Sequence, residues 1–168
     1  MKPGYWKDAD STRGPIVSKR QMETILNYIE IGKKSGAQIA CGGKRLDRPG
    51  YFIEPTVFVD ANNDMQSVRE EIFGPVLSVL KFSDLDQALD IANDSVYGLA
   101  GGVFTQDMKK ANHVAQNMEQ GNVYVNTFFP IWVDTPWGGF KQSGIGRELS
   151  VNGLNNYLED KAVIYDCN

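Results

Sequence analysis

Between residues 76 and 126 the chain changes element type in an order that leaves few folds open. Residues 76–82 are an apolar, β-branched run of strand length. Ser83 is placed to cap a helix, with Asp86 at its third position and Leu85, Ala88, Leu89 and Ala92 as its apolar stripe. Residues 99–105 read as a second strand. Residues 107–120 read as a second helix, striped by Met108, Ala111, Ala115 and Met118 and closed by Gly121. Residues 122–126 read as a third strand. Short links between alternating strands and helices require right-handed crossovers, and crossovers join parallel strands. The expectation is an α/β fold with a parallel-sheet βαβαβ core.

The flanks are less regular. Residues 1–16 carry Pro3, Gly4, Gly14 and Pro15 and read as an irregular lead-in. Ser18 then opens a helix, with Gln21 three residues on as in a capping box, and Val17 and Met22 spaced for a hydrophobic staple. Met22, Ile25, Leu26 and Ile29 make one apolar stripe; Lys33 and Lys34 suit the helix end, and Gly36 suits the left-handed position beyond it. A short strand over 37–40 leads to the turn Cys41-Gly42-Gly43. Residues 51–61 read as one or two strands interrupted by Pro55. Beyond Asn126, residues 127–137 are aromatic and irregular, 138–146 are glycine-rich, 147–158 predict a short helix, and 161–165 a terminal strand. A lone terminal strand must pair with an edge of this chain or of another subunit.

Bulk properties exclude several classes. The 168 residues are 42% hydrophobic, globular values for a chain long enough to build a core. A net charge of −4 without a Lys/Arg cluster speaks against nucleic acid. No apolar run approaches the ~20 residues that span a bilayer, and the start has no apolar signal segment. Cys41 and Cys167 have no metal-ligand spacing with the single histidine, His113, so no metal site is expected. A cytoplasmic chain with reduced thiols is the default expectation.

Four features could carry chemistry. In Glu70-Glu71-Ile72-Phe73-Gly74-Pro75, two carboxylates stand directly before an apolar run, an order no packing pattern needs. Composition alone favours one solvated glutamate and one that pairs locally. The functional alternative is a carboxylate accepting from both hydroxyls of a ribose. Gly144-Ile145-Gly146 is a fragment of a dinucleotide fingerprint, but no strand precedes it and Leu149 holds the third glycine position, so close backbone packing and special torsions are the better reading. Lys141 is not in a phosphate-loop arrangement either. Phe128, Phe129, Ile131, Trp132 and Trp137 form an aromatic cluster, either a core under a loop or the wall of an apolar tunnel. Cys41 and Cys167 read as non-catalytic: thiolate chemistry needs a nearby base, Cys41 lies in a Cys-Gly-Gly turn, Cys167 is next to the last residue, and His113 falls off the apolar stripe of its helix.

Several of these motifs, in order, resemble the C-terminal part of NAD(P)-dependent aldehyde dehydrogenases: Gly14-Pro15, Gly50-Tyr51-Phe52-Ile53-Glu54-Pro55-Thr56, Glu70–Pro75, Tyr97-Gly98-Leu99-Ala100, Val123-Tyr124-Val125-Asn126, and the run from Gly138 through Glu148 to Leu149. The resemblance covers nearly all of the chain, from about residue 14 onward. It implies a catalytic domain truncated at its N-terminal side over residues 1–160, and an oligomerisation strand over 161–168. It implies that Glu71 holds the nicotinamide ribose of NAD or NADP and that Phe73 packs beside the nicotinamide ring. It implies that Phe128, Ile131 and Trp137 line the aldehyde entry route. Trp137 with the Gly-Gly-Phe-Lys-Gln-Ser-Gly that follows is similar to betaine-aldehyde-type and related small-aldehyde members. In that family a cysteine attacks the aldehyde, hydride passes to NAD(P)+, and water releases the acid. The nucleophile, the general-base glutamate and the dinucleotide-binding domain of the family have no counterpart in these residues, so no catalytic residue is assigned here. The expectation is a portion inactive alone and binding no cofactor alone, with a homo-oligomer partner through the C-terminal strand and the missing N-terminal portion as a further one. The alternative is a non-catalytic binding or assembly module that keeps the family's dimerisation surface.

Overall fold

The computed structural model describes residues 1–128 and 130–167. Phe129 of the aromatic cluster lies outside them. The chain forms two compact units, Met1–Phe82 and Ser83–Asn168.

The first unit is built on α1 (Lys19–Lys34). Ser18 caps it, its side chain accepting from the Gln21 N–H at 3.2 Å. Met22, Ile25, Ile29 and Gly32 form its buried face. The chain leaves through Gly36 at φ 96°, where a side chain would be strained. The expected staple is not made: Val17 is 89% exposed while Met22 is buried. Beside α1 lies a three-stranded sheet in the order β1-β2-β3, with β1 Gln38–Cys41, β2 Thr56–Val59 and β3 Val76–Ser78. β1 runs antiparallel to β2 with an irregularity between Ile39 and Cys41; β2 and β3 are parallel. Phe58 of β2 is fully buried, and a β-carbon on Gly32 would lie 2.6 Å from its ring, so helix and sheet meet where α1 has no side chain. Ile16, Met22, Ile25, Ile29, Ile53, Phe58 and Met65 make the core. Burying each large member contributes about 1.5–3 kcal/mol. A four-residue helix, α2 (Gln66–Arg69), lies on the path from β2 to β3.

In the second unit α3 (Leu85–Asn93) is capped by Asp84, one residue later than expected. Asp84 accepts from the Gln87 N–H at 2.9 Å, and Ser83 instead donates its N–H to the Gln87 side chain. β5 (Ala100–Val103) lies within the expected second strand, and a further two-residue strand, β4 (Tyr97–Gly98), precedes it. α4 (Met108–Asn117), capped by Asp107, buries Ala111 and Val114 and leaves Met108 exposed. β6 (Asn122–Val125) runs parallel to β5 from Ala100↔Asn122 to Val103↔Val125, the crossover that the sequence predicts. β4 instead pairs antiparallel with β7 (Phe140–Lys141). The α/β architecture is therefore present, with its parallel pairs divided between two sheets, β2 with β3 and β5 with β6.

One terminal expectation is corrected. The short helix is a 3₁₀ turn over Val151–Tyr157, entered through Leu149 and Ser150, both at positive φ. Residues 161–165 form no strand with any described residue of this chain, and Ile164 is 92% exposed.

Candidate functional site

Residues 70–75 connect α2 to β3 in the first unit, and their side chains alternate in role. Glu70 is anchored: the Tyr28 hydroxyl donates to its Oε2 at 2.6 Å and the Gln66 amide at 3.0 Å. The Tyr28 bond first, and the Gln66 bond after it, hold the Glu70 carboxyl below its ordinary range. Glu71 is exposed, with no hydrogen-bond or ion-pair partner among the described residues. Ile72 packs against the core, and Phe73 points outward, 77% exposed. Phe73 has φ 53°, a conformation that costs a non-glycine residue roughly 1–2 kcal/mol.

α1 holds that turn. The Gln21 side-chain amide donates to the carbonyls of Ile72 at 3.3 Å and Phe73 at 3.1 Å. A β-carbon on Gly74 would lie 2.6 Å from two atoms of the fully buried Ile25. Gln21, Ile25 and Tyr28 are four and three residues apart, hence on one face of α1. Gln21 does not reach back to Ser18 as a capping box would have it. The capping pattern concealed this use, and only an unexplained polar pair, Gln21 and Tyr28, on the edge of the apolar stripe could have signalled it.

Of the other candidates, Ile131 and Trp137 line one concave surface in the second unit, with Tyr124, Trp132 and Pro136. It encloses about 240 Å³, below the roughly 300–1,000 Å³ of a formed ligand pocket, and is a wall rather than an enclosure. Phe128 does not line it and is 80% exposed. The wall is braced. Trp137 and Glu148 exchange backbone bonds at 2.8 and 2.7 Å. The Arg147 guanidinium donates to the carbonyls of Gly139 and Gly146 and lies over the Phe140 ring. Gly144 and Gly146 serve torsion, at φ 142° and 93° with no crowding around a β-carbon, whereas Gly138 serves close packing: a β-carbon there would lie 2.6 Å from the Gly146 carbonyl. Lys141 is engaged with the Asn93 carbonyl and Glu119, both at 2.6 Å. Asn93, which sequence reading passed over, also donates to the Asn117 carbonyl and accepts from the Glu119 N–H, tying the ends of α3 and α4.

Both cysteines are free and exposed. The Cys41 thiol donates to the Pro55 carbonyl at 3.7 Å, a contact a thiolate could not make. His113 faces Asp86 at 3.5 Å on the surface. Among the described residues no group of three His, Cys, Asp or Glu side chains could hold a metal ion, and no helix is long and apolar enough to cross a membrane.

An α/β scaffold that presents a carboxylate and an aromatic ring from a strained Glu-Glu-Ile-Phe-Gly-Pro turn matches a known class. The sequence pattern of the aldehyde dehydrogenase family matches residues 1–163, and the chain belongs to that family. It is 44% identical over 167 residues to betaine aldehyde dehydrogenase of Bacillus subtilis (strain 168), covering 97% of this chain and 34% of that one. It is 48% identical over 155 residues to the chloroplastic betaine aldehyde dehydrogenase of Beta vulgaris, covering 91% and 31%. Among solved structures it matches betaine aldehyde dehydrogenase of Staphylococcus aureus in complex with NAD+, with a TM-score of 0.90 and 46% identity over 94% of this chain and 32% of that one. The chain thus spans about a third of the length of these relatives.

Proposed function

We propose that this chain is the C-terminal portion of an NAD(P)-dependent aldehyde dehydrogenase that converts an aldehyde to a carboxylic acid. It works only together with the portion that bears the nucleophile and the dinucleotide-binding domain. The observation that carries this reading is the outward presentation of Glu71 and Phe73 by one strained turn. A carboxylate without a protein partner fits a ribose diol, since each oxygen accepts from one hydroxyl. The exposed Phe73 ring offers an apolar face for the nicotinamide. Glu71 and Phe73 would therefore hold and orient the nicotinamide end of the cofactor, which supplies the hydride acceptor when bound. Ile131, Trp137 and Phe128 would contribute to the aldehyde route. The NAD+ complex of the S. aureus relative favours NAD, and the relatives named betaine aldehyde dehydrogenase favour a small, polar aldehyde.

The test is aldehyde-dependent NADH formation by the purified chain, alone and mixed with the N-terminal portion of a betaine aldehyde dehydrogenase. The chain alone should give none, and the mixture should give turnover that Glu71→Ala depresses through the NAD+ KM. Turnover by the chain alone, abolished by Cys41→Ala or Cys167→Ala, would sink the reading.

One observation favours a second reading, an assembly module. Val163, Ile164 and Tyr165 are exposed in a segment that pairs with no described strand. Such a segment favours pairing with a second copy of the chain. Light scattering should show a homo-oligomer that deletion of residues 161–168 weakens; a monodisperse monomer would count against it.

A further inference from the structure

We infer that Ser150 is a positioning residue for the aldehyde wall, held in a strained torsion so that its N–H can grip the Val133 carbonyl. The inference rests on the reading of Ile131 and Trp137 given above and goes beyond it, to the residue that sets their place. Val133 sits between them in a turn, where the Thr135 N–H bonds the Trp132 carbonyl at 3.1 Å. Ile131, Trp132, Thr135 and Trp137 line the concave surface, whereas the Val133 side chain is exposed. The Val133 carbonyl is thus a handle on the wall, and the Ser150 N–H donates to it at 2.8 Å.

The backbone is strained to make this bond. Trp137 and Glu148 form an antiparallel pair, and an ordinary ladder continuing from it would set Ser150 opposite Thr135. Ser150 instead reaches two residues further, to Val133. The flanking chain is fixed: the Arg147 carbonyl accepts from the Asn156 amide at 2.6 Å, and the Leu149 carbonyl from the Gly153 N–H at 3.0 Å. The detour therefore falls on Leu149 and Ser150, at φ 59° and 51°. Ser150 combines φ 51° with ψ −175°, a region that essentially only glycine occupies. Its hydroxyl accepts from the Asn152 N–H at 3.1 Å and caps the 3₁₀ turn, which offsets part of the strain. Such a torsion persists only where the surroundings over-determine it. A residue 150 that cannot hold it turns its N–H away, frees the Val133 carbonyl and lets Ile131 and Trp137 shift.

The test compares Ser150→Gly, which keeps the N–H and accepts the torsion, with Ser150→Val, whose β-branched side chain resists it. On the chain alone, Ser150→Gly should raise the urea midpoint and leave hydrogen–deuterium exchange over residues 131–137 as in wild type, and Ser150→Val should speed that exchange. In the mixture described above, Ser150→Val should raise the aldehyde KM about five-fold, the effect of one lost net hydrogen bond, with the NAD+ KM unchanged. Ser150→Gly should keep both. A purely structural role would instead lower the active fraction, and kcat, with both KM values intact. Unaltered exchange in Ser150→Val, or an active mixture whose aldehyde KM ignores that substitution, would overturn the inference. Should Ser150→Val fail to fold, Ser150→Gly still decides, since a lowered urea midpoint or a raised aldehyde KM in that variant refutes the strained grip. A wild-type mixture that never reduces NAD+, with exchange responding as stated, would overturn the functional reading and the aldehyde role of Ser150 with it, the grip on Val133 standing.

Discussion

Gly74→Ala puts a methyl group where α1 and the turn over residues 70–75 meet. Gly74 is not at positive φ, and it precedes Pro75, so alanine can adopt its extended backbone. On backbone grounds alone the change should stabilise by about 0.4–1 kcal/mol, through the unfolded chain. The new β-carbon, however, would lie 2.6 Å from Cδ1 and from Cγ1 of Ile25 and 3.1 Å from its Cγ2. Carbon atoms prefer about 3.5–4.0 Å, so two contacts are roughly 1 Å too short. Ile25 is fully buried within the core and has no open direction in which to retreat. Overpacking of this kind costs about 1–3 kcal/mol, which exceeds the backbone gain. The expected net loss is about 1–2 kcal/mol, a fall of roughly 4–8 °C in Tm per kcal/mol for a unit of this size. Urea unfolding followed by circular dichroism measures it. Ile25→Ala alone should cost about 2–5 kcal/mol. The double variant should be more stable than the sum, because the methyl enters the space that isoleucine leaves. Gly74→Ala at or above wild-type stability, or strict additivity with Ile25→Ala, would refute the close approach.

Ser67 is buried with its hydroxyl unpaired among the described residues, so Ser67→Ala should raise the urea midpoint by an amount worth about 1 kcal/mol. Thr56, 1% exposed, donates to the Glu54 carbonyl and accepts from the Gly43 N–H; Thr56→Val should cost about 1–3 kcal/mol in thermal melts, because it orphans both. Asp84 is held below its ordinary pKa of 3.8 by the Gln87 N–H first and the Ser83 hydroxyl next. Its folded pKa is lowered, so its stabilisation is complete above the unfolded value and is lost as pH falls through the folded one. Acid titration of the melting temperature should therefore be shallower in Asp84→Asn, and identical acid profiles would contradict the cap.

What was legible in the sequence follows physical range. The Ser18 cap, the stripe of Met22, Ile25 and Ile29, the Gly36 stop and the β5-α4-β6 crossover rest on local periodicity and torsion, and each is present. Adjacent hydroxyl and carboxylate at 83 and 84 compete for one capping position, and the carboxylate took it, with Ser83 turned to Gln87. The strand read over 99–105 is present as β5, but β4 just before it was not legible. Gly98 donates its N–H to the Ser143 hydroxyl and β4 pairs with β7, contacts set by residues more than 40 positions away. Residues 161–165 have strand composition, but composition names no partner, and no described residue of this chain pairs with them.

The candidate site divides along the same line. Glu71 and Phe73 were singled out by the family resemblance of their motif, since composition alone favoured a solvated and a locally paired glutamate. Gln21 and Tyr28 were not, because each has an ordinary local explanation, a capping box for one and a helix flank for the other. Only the fold sets them opposite residues 51 and 42 positions further on. This difference bears on the glutamate pair itself. Composition gave one solvated carboxylate and one that pairs locally, and function gave one that binds ribose. On the proposed reading the two meet: Glu70 is the glutamate that pairs locally, with Tyr28 and Gln66, and Glu71, which has no partner among the described residues, is the one offered to a ribose.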